Sequence, residues 1–264
     1  MPFQQAARPV GSAARRRSSV SDQPDNGRRQ FLSRGTAATA AVAVAPGVLL
    51  YDFARARPPA EPASSAVRWG LLIDTTRCDS GCDACVSACR EENALPLPLK
   101  PTDPQWIRKV ELTQEGTGRK VSLPMMCQHC AEPPCVDVCP TGASFKRADG
   151  IVLVDKHRCI GCRYCMMACP YKARSFVHEP VEDHSGATPR GQGTVESCTL
   201  CVHRVDEGRA PACVDACSRE GHRALLFGNL NDPDSAISQR LRSVASVKLR
   251  ADLNLDPGLS YVGL

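Results

Sequence analysis

The sixteen cysteines of this chain fall into four groups of four, with none left over. In chain order the groups are Cys78, Cys82, Cys85 and Cys89; Cys127, Cys130, Cys135 and Cys139; Cys159, Cys162, Cys165 and Cys169; and Cys198, Cys201, Cys213 and Cys217. The third group has the spacing C-x2-C-x2-C-x3-C-P, in which three thiolates hold one 4Fe-4S cluster and the fourth thiolate reaches a second cluster. Because each cluster takes four cysteine ligands, the sequence predicts four 4Fe-4S clusters.

The other three groups are variations on this spacing. The second group, C-x2-C-x4-C-x3-C, also ends in a Cys-Pro pair, and proline keeps the residue before it out of the helical region. We therefore expect groups two and three to form a pair. The first group, C-x3-C-x2-C-x3-C, is one residue longer than usual, and Gly81 gives its loop a residue that can adopt positive φ. The fourth group, C-x2-C-x11-C-x3-C, is followed by Ser218 instead of proline.

Disulfides and structural zinc are the alternatives for so many cysteines. Disulfide frameworks are typical of chains shorter than about 100 residues, whereas this chain has 264 residues. Zinc ribbons use two separated C-x2-C pairs, and not three closely spaced cysteines with a distant fourth. The spacing therefore favours iron–sulfur clusters over both alternatives.

The N-terminal segment predicts export. Residues 28–32 read Arg-Arg-Gln-Phe-Leu and precede an uncharged stretch, residues 35–51, that is rich in Ala and Val. A paired arginine of this kind is the address of the twin-arginine route. The stretch is shorter than the roughly 20 apolar residues of a spanning helix, and residues 54–56, Ala-Arg-Ala, provide a small-x-small cleavage site. We expect residues 1–56 to be a twin-arginine signal peptide and the mature protein to be periplasmic, with an uncleaved anchor as the alternative.

Charge and hydropathy limit the partners of the chain. Residues 1–56 contain eight Arg and three Asp, a net charge of +5, which equals the surplus of the whole chain. Residues 57–264 are therefore neutral and carry no basic face for nucleic acid. They also contain no apolar stretch long enough to cross a membrane. We expect membrane contact through a partner subunit only.

Composition and pattern predict a small α+β fold organised by its clusters. Aromatic residues make up 5% of the chain and prolines number 21, so one large conventional core is not expected. Metal ligation can replace such a core because binding and folding are coupled. Strands are expected at residues 67–74, 106–112, 119–123 and 151–155, with hairpin turns at residues 114–118 and at Asp149-Gly150. Short helices are expected at residues 86–92, 136–138 and 166–168, a longer helix at 235–244 and an extended coil at 253–264.

The remaining polar residues near the cysteines are interpreted as ordinary. The six histidines have no spacing that completes another metal site. The cations beside group three, Arg163, Lys172 and Arg174, could raise the potential of that cluster by countering its charge. They are interpreted as exposed loop residues, which do so weakly because water and salt screen them. The nearby methionines are interpreted as packing residues: Met125, Met126, Met166 and Met167.

On these residues the chain resembles a known family, the four-cluster ferredoxin-like electron-transfer subunits of periplasmic oxidoreductase complexes. The resemblance covers residues 67–227 and is carried by the cysteine groups with residues 125–130 and 159–174. Together with residues 252–258, these segments look most like DsrO subunits, the periplasmic iron–sulfur subunits of membrane complexes in dissimilatory sulfur metabolism. The resemblance implies two ferredoxin-like repeats with short hairpin insertions. We expect them in a domain of residues 57–230, followed by a C-terminal helix and extended tail at residues 231–264.

The resemblance also implies how the thiolates are shared, because members of this family pair group one with group four and group two with group three. Each group lends its fourth cysteine to its partner. The implied ligand sets are Cys78, Cys82, Cys85 and Cys217; Cys198, Cys201, Cys213 and Cys89; Cys127, Cys130, Cys135 and Cys169; and Cys159, Cys162, Cys165 and Cys139.

An electron-transfer role without catalysis follows from this family and from what the sequence lacks. Four cysteines for each cluster leave no open coordination position, and the sequence has no G-x-G-x-x-G loop and no nucleophile with an attendant base. The implied role is a relay between a polytopic quinone-reactive membrane subunit and a cytochrome c or other periplasmic redox subunit, with its ends at group one or group four. A dissimilatory sulfur complex is the expected setting. The alternatives are a molybdenum oxidoreductase acting on tetrathionate or polysulfide and, in another class, an iron–sulfur sensor or structural protein.

Overall fold

The computed structural model of the protein describes residues 63–97 and 100–264. The predicted signal peptide lies outside these residues. The described helices are α1 (Ala84–Glu92), α2 (Pro134–Asp137), α3 (Tyr164–Ala168), α4 (Val202–Val205), α5 (Ala212–Arg219) and α6 (Ala236–Ser243). The described strands are β1 (Trp69–Asp74), β2 (Ile107–Thr113), β3 (Lys120–Met126), β4 (Ser144–Lys146), β5 (Val152–Val154), β6 (Ser175–Phe176), β7 (Val195–Glu196), β8 (Leu225–Asn229) and β9 (Leu259–Val262).

A three-stranded sheet of order β8-β1-β9 holds the described chain together. β1 is buried along all but its first residue, as expected for an apolar central strand. It pairs antiparallel with β8 and parallel with β9. Leu71 and Ile73 of β1 pack in one core with Leu225, Leu259 and cysteines from all four groups. The sheet and the cysteine groups therefore share a core.

The end of the chain is the clearest departure from the predicted secondary structure. An extended coil was expected at residues 253–264, whereas Leu259–Val262 form β9 and Ala251–Leu253 form a 3-10 helix. Leu259 and Tyr261 are fully buried. The coil prediction was wrong because β9 owes its structure to pairing with β1, a partner far away in the sequence.

Two predicted hairpins are confirmed. β2 and β3 pair from Ile107 with Met126 to Thr113 with Lys120, around the predicted Gly-rich turn. β4 and β5 pair around Asp149-Gly150, where Gly150 adopts a φ of +86°. This positive φ is the backbone geometry that favours Asp-Gly turns.

The three short helices predicted beside cysteine groups, at residues 86–92, 136–138 and 166–168, are confirmed as α1, α2 and α3, and the predicted helix at residues 235–244 is confirmed as α6. α2 starts at Pro134, a residue suited to the first helical turn because its missing N–H needs no partner there. α6 starts after Ser235, whose hydroxyl accepts a hydrogen bond from the Ser238 N–H at 3.3 Å. Ile237 of α6 is fully buried against β8 at Gly228, a close approach that any β-carbon would obstruct. None of the helices in the described ranges has the length and apolar character of a membrane span.

Candidate metal centres

The fold brings the sixteen cysteines together in four sets of four. We number these sets as sites along the molecule. Site 1 has Cys78, Cys82, Cys85 and Cys217; site 2 has Cys89, Cys198, Cys201 and Cys213; site 3 has Cys127, Cys130, Cys135 and Cys169; and site 4 has Cys139, Cys159, Cys162 and Cys165. Each site combines three cysteines of one group with the fourth cysteine of another group.

Three of the sites are lined cavities of similar size. Counted together with the solvent-filled opening of each cavity, the space at sites 1 and 3 is about 320 Å³ and that at site 4 is about 300 Å³. At site 2, burial raises the pKa of the Cys89 and Cys213 thiols well above their usual value, and the charges of Cys198 and Cys201 raise both further. Those electrostatic effects require the four thiols of site 2 to lie close together.

The donor set suits a metal–sulfur cluster. In the described residues, no three side chains of His, Cys, Asp or Glu are grouped to hold a single metal ion. The four thiols at sites 1, 3 and 4 instead surround a shared cavity, lined otherwise by mainly apolar side chains. Soft thiolates are the ligands that iron–sulfur clusters use.

Burial makes these thiols dependent on a metal for ionisation. It raises the pKa of Cys85, Cys127 and Cys130 to about 12 in the metal-free chain. At neutral pH these thiols would therefore carry protons, which a metal displaces when it binds the sulfur. Binding of the clusters thus compensates for burying eleven potential charges.

Electrostatic effects between thiols of different sites indicate which sites are neighbours. After burial, the Cys85 thiolate of site 1 contributes to the raised pKa of Cys89 and Cys213 in site 2. Burial raises the pKa of Cys198 in site 2, and the Cys127 thiolate of site 3 raises it further. Cys165 of site 4 acts on the pKa of Cys135 in site 3 in the same direction, after burial and against the lowering effect of Arg174. The order is therefore site 1, site 2, site 3, site 4.

Exposure agrees with this order. The eight thiols of sites 2 and 3 are all buried. Cys78 and Cys82 of site 1 are partly exposed, and Cys162 of site 4 is exposed. Of the two groups expected at an end of the relay, group one supplies site 1. Group four instead supplies three cysteines of the interior site 2, and only its Cys217 belongs to an end site. The prediction could not place group four, because spacing along the chain does not reveal which groups become neighbours in space.

Backbone amides donate hydrogen bonds to several of the sulfurs. The N–H of Ser144 donates to Cys139 Sγ at 3.3 Å, and the N–H of Ala224 donates to Cys217 Sγ at 3.2 Å. Both sulfurs belong to the fourth cysteines of their groups, which cross to a neighbouring site. Donors to cluster sulfurs favour the more negative, reduced state and so raise the reduction potential. The segments that follow these crossing cysteines therefore influence the reduction potentials of the sites as well as the path of the chain.

Arg174 is placed differently from the prediction. It was interpreted as an exposed loop cation, but its side chain is buried and the residue is 4% exposed. Lys172, two residues earlier, is exposed as expected, and Arg163 lies over the ring of Phe176 with its guanidinium carbon 3.7 Å from the ring centroid. The Arg174 Nη2 donates to Cys135 Sγ at 3.0 Å and to Ser144 Oγ at 2.8 Å.

His129 is a packing residue beside site 3, consistent with its interpretation from sequence. The Val152 N–H donates to its Nδ1 at 3.1 Å. Burial, reinforced by Arg174, lowers the pKa of His129 to about 3, so the ring is neutral. Its φ of +43° gives the loop between Cys127 and Cys130 a left-handed turn.

Asn93 is a residue near the sites that the sequence reasoning did not single out. It is fully buried after α1, and its Nδ2 donates to the Cys89 carbonyl at 2.9 Å. The same nitrogen lies 3.8 Å from Cys89 Sγ. Asparagine after a cysteine-bearing helix is a common C-cap, and so the sequence offers no signal that separates a capping role from this position beside a sulfur.

Comparisons with known proteins agree with the geometry. Residues 77–143 and 119–228 each match the 4Fe-4S dicluster domain. The Hdr-like menaquinol oxidoreductase iron–sulfur subunit 1 of Archaeoglobus fulgidus is 42% identical to this chain, over 90% of the chain and 98% of the relative. A subunit of the tetrathionate reductase of Salmonella typhimurium is 39% identical, over 91% of this chain and 89% of the relative. A subunit of the sulfite dehydrogenase of Allochromatium vinosum is 38% identical, over 73% of this chain and 81% of the relative.

The chain belongs to the ferredoxin-like electron-transfer subunits of oxidoreductases. The predicted family and the predicted role, electron transfer without catalysis, are therefore confirmed. The ferredoxin-like subunits carry 4Fe-4S clusters, and two dicluster domains with sixteen cysteines fit four of them, as the sequence predicts. The mixed α and β structure of the described residues also agrees with the predicted fold class.

Proposed function

We propose that this subunit is a periplasmic relay, exported by the twin-arginine route, between a polytopic quinone-reactive membrane subunit and a periplasmic redox partner such as a cytochrome c. The observation that carries the proposal is the line of four cysteine sites, whose partly or fully exposed thiols lie at its two ends. A relay needs end sites that partners can approach and interior sites that water cannot reach. The two domain repeats and the limits of residues 57–230 and 231–264 are part of the same proposal.

In this proposal the four thiols of each site are the iron ligands of one cluster. When bound, a 4Fe-4S cluster accepts and releases single electrons. The chain contributes the crossing cysteines, which tie neighbouring sites to one another, and the buried side chains, which exclude water from sites 2 and 3. Burial and hydrogen bonds to the sulfurs then set the potential of each site.

The site 4 end has the character of a docking surface for a redox partner. Ile160, Tyr164 and Met167 are 67%, 61% and 76% exposed. They belong to the segment that carries the exposed Cys162. Exposed apolar side chains grouped in this way mark interaction sites, and their burial in a complex would also exclude water from the nearest thiolate.

The names of two relatives support a role in sulfur metabolism. One relative is a subunit of tetrathionate reductase and another is a subunit of sulfite dehydrogenase. A dissimilatory sulfur complex is therefore the proposed setting, and a molybdenum oxidoreductase acting on tetrathionate or polysulfide is the second candidate. Purification of the complex from its native membrane distinguishes them, because only the second candidate brings molybdenum with it.

Metal analysis tests the cluster assignment directly. We expect the anaerobically purified protein to contain about sixteen iron and about sixteen acid-labile sulfide, four of each for every four-cysteine site. A reductive titration followed by EPR is expected to take up about four electrons, one for each cluster. Tightly bound zinc without labile sulfide would contradict the cluster assignment. Clusters that cannot be reduced and reoxidised would instead favour a structural role.

Fractionation of a strain that lacks the membrane subunit tests the mode of attachment. We expect the protein to move from the membrane to the soluble periplasmic fraction, because its proposed membrane contact is made through that subunit. The intact complex is the control for fractionation. A protein that stays in the membrane, with residues before Arg57 still present on N-terminal sequencing, would show that residues 35–51 are an uncleaved anchor.

A further inference from the structure

Arg174 is a buried cation next to two of the cysteine sites. It lies between Cys169, the last cysteine of group three, and β6, and its side chain contributes to the lining of the site 3 cavity. Its Nη2 donates to Cys135 Sγ, a site 3 sulfur, at 3.0 Å. The sulfur stands for an iron-bound thiolate of the loaded protein, so this contact is a charge-assisted hydrogen bond to a cluster ligand.

The same guanidinium also acts on site 4. Ser144, whose hydroxyl accepts from Nη2 at 2.8 Å, donates its own N–H to Cys139 Sγ of site 4. Arg174 and Ser144 therefore connect a sulfur of site 3 to a sulfur of site 4.

No carboxylate neutralises this charge. Among the described residues, no Asp or Glu forms an ion pair with Arg174, whereas the buried Arg190 pairs with Glu196 at 3.0 Å. The Nε and Nη1 of Arg174 are buried without a hydrogen-bond partner in the same part of the chain. A buried cation without a counter-charge is costly. An anionic group on either side of it removes that cost, and the two sites supply such groups.

We propose that Arg174 is a positioning residue shared by sites 3 and 4, whose buried charge raises the reduction potentials of both clusters together. The inference rests on the proposed cluster sites. Reduction adds negative charge beside a fixed cation, so the reduced state is stabilised more than the oxidised state. Water screens an exposed cation but not this one, since the interaction between charges grows as the local dielectric constant falls.

Replacement of Arg174 by Gln tests the proposal through potentials and not through turnover. In an EPR-monitored redox titration of the purified protein, we expect two of the four potentials to fall, each by about tenfold in the reduction equilibrium or roughly 59 mV for a one-electron couple. The other two are expected to stay unchanged. The matched control is Lys172→Gln, which removes the same charge from an exposed position two residues away and is expected to leave all four potentials unchanged.

Several outcomes would overturn the inference. Four unchanged potentials in an Arg174→Gln protein with full iron content would do so, as would equal shifts for Arg174→Gln and Lys172→Gln. If Arg174→Gln fails to retain iron, Arg174→Lys keeps the charge without the guanidinium fork, and we expect both potentials to stay close to those of the parent protein. A fall of roughly 59 mV in both potentials of that loaded variant would show that the buried charge does not set them. A parent protein without clusters would instead refute the proposed function.

Discussion

The protein with Gly161 replaced by alanine is expected to lose the cluster of site 4. Gly161 lies between Cys159 and Cys162 with a φ of +70°, and a β-carbon there would lie 2.2 Å from the Gly193 carbonyl oxygen and 3.1 Å from the Phe176 ring. A contact of 2.2 Å forces the backbone to move, and both flanking cysteines move with it. We expect about twelve iron for each protein chain in place of about sixteen, with loss of one EPR-active cluster.

Gly193→Ala is the matched control for this substitution. Gly193 has a similar φ of +78°, but a β-carbon there would meet no atom within 4 Å among the described residues. Both variants carry the left-handed strain of about 1–2 kcal/mol, and only Gly161→Ala adds the collision. We expect the control to keep its full iron content. An equal loss of iron in both variants would attribute the effect to backbone strain, and full iron in Gly161→Ala would contradict the close packing of this loop.

Conversion of Arg28 and Arg29 to lysine is expected to strand the protein in the cytoplasm. The paired arginine is the recognition element of the twin-arginine route, and lysine keeps the charge but not the planar guanidinium that the route recognises. Cysteines of the mature part are untouched, so the retained protein is expected to carry its clusters. Fractionation with immunoblotting, together with iron analysis of the cytoplasmic pool, checks both statements.

Arg16→Lys with Arg17→Lys is the control for the export experiment. These two residues are also adjacent arginines in the N-terminal segment, but no Gln-Phe-Leu sequence follows them. We expect normal export of this variant. Normal export of the Arg28→Lys, Arg29→Lys protein would mean that another feature of the segment is the address.

Local features of the fold were predictable from the sequence. The Asp149-Gly150 turn and the capping Ser235 act on residues a few positions away, so the hairpin and α6 could be located without tertiary structure. β8 and β9 could not, because each depends on β1 across most of the chain. Tyr261 shows the difference, because its burial follows from its neighbours in the sheet and not from a pattern of apolar residues in its own segment.

The candidate sites show a similar division. The number of thiolates was accessible from spacing, and the cysteines that line the cavities of sites 1, 3 and 4 are those that the resemblance groups together. Their sharing as iron ligands stays a prediction. The burial of Arg174 was not accessible from the sequence. Lys172 and Arg174 look alike in a sequence, but the chain turns at Lys172, where φ is +50°, and one cation is then exposed while the other is buried. Only packing separates a screened charge from an unscreened one.

The pairing of β9 with β1 has a consequence for the timing of biosynthesis. The Thr75 hydroxyl donates to the Val262 carbonyl across 187 positions of the chain, and the Gly258 N–H donates to the Gln128 carbonyl at 2.8 Å inside the site 3 loop. A ribosome must therefore add these late residues before β1 gains its second neighbour and before the loop between Cys127 and Cys130 is braced. The loop of site 3 is therefore braced only in chains that have been translated as far as Gly258.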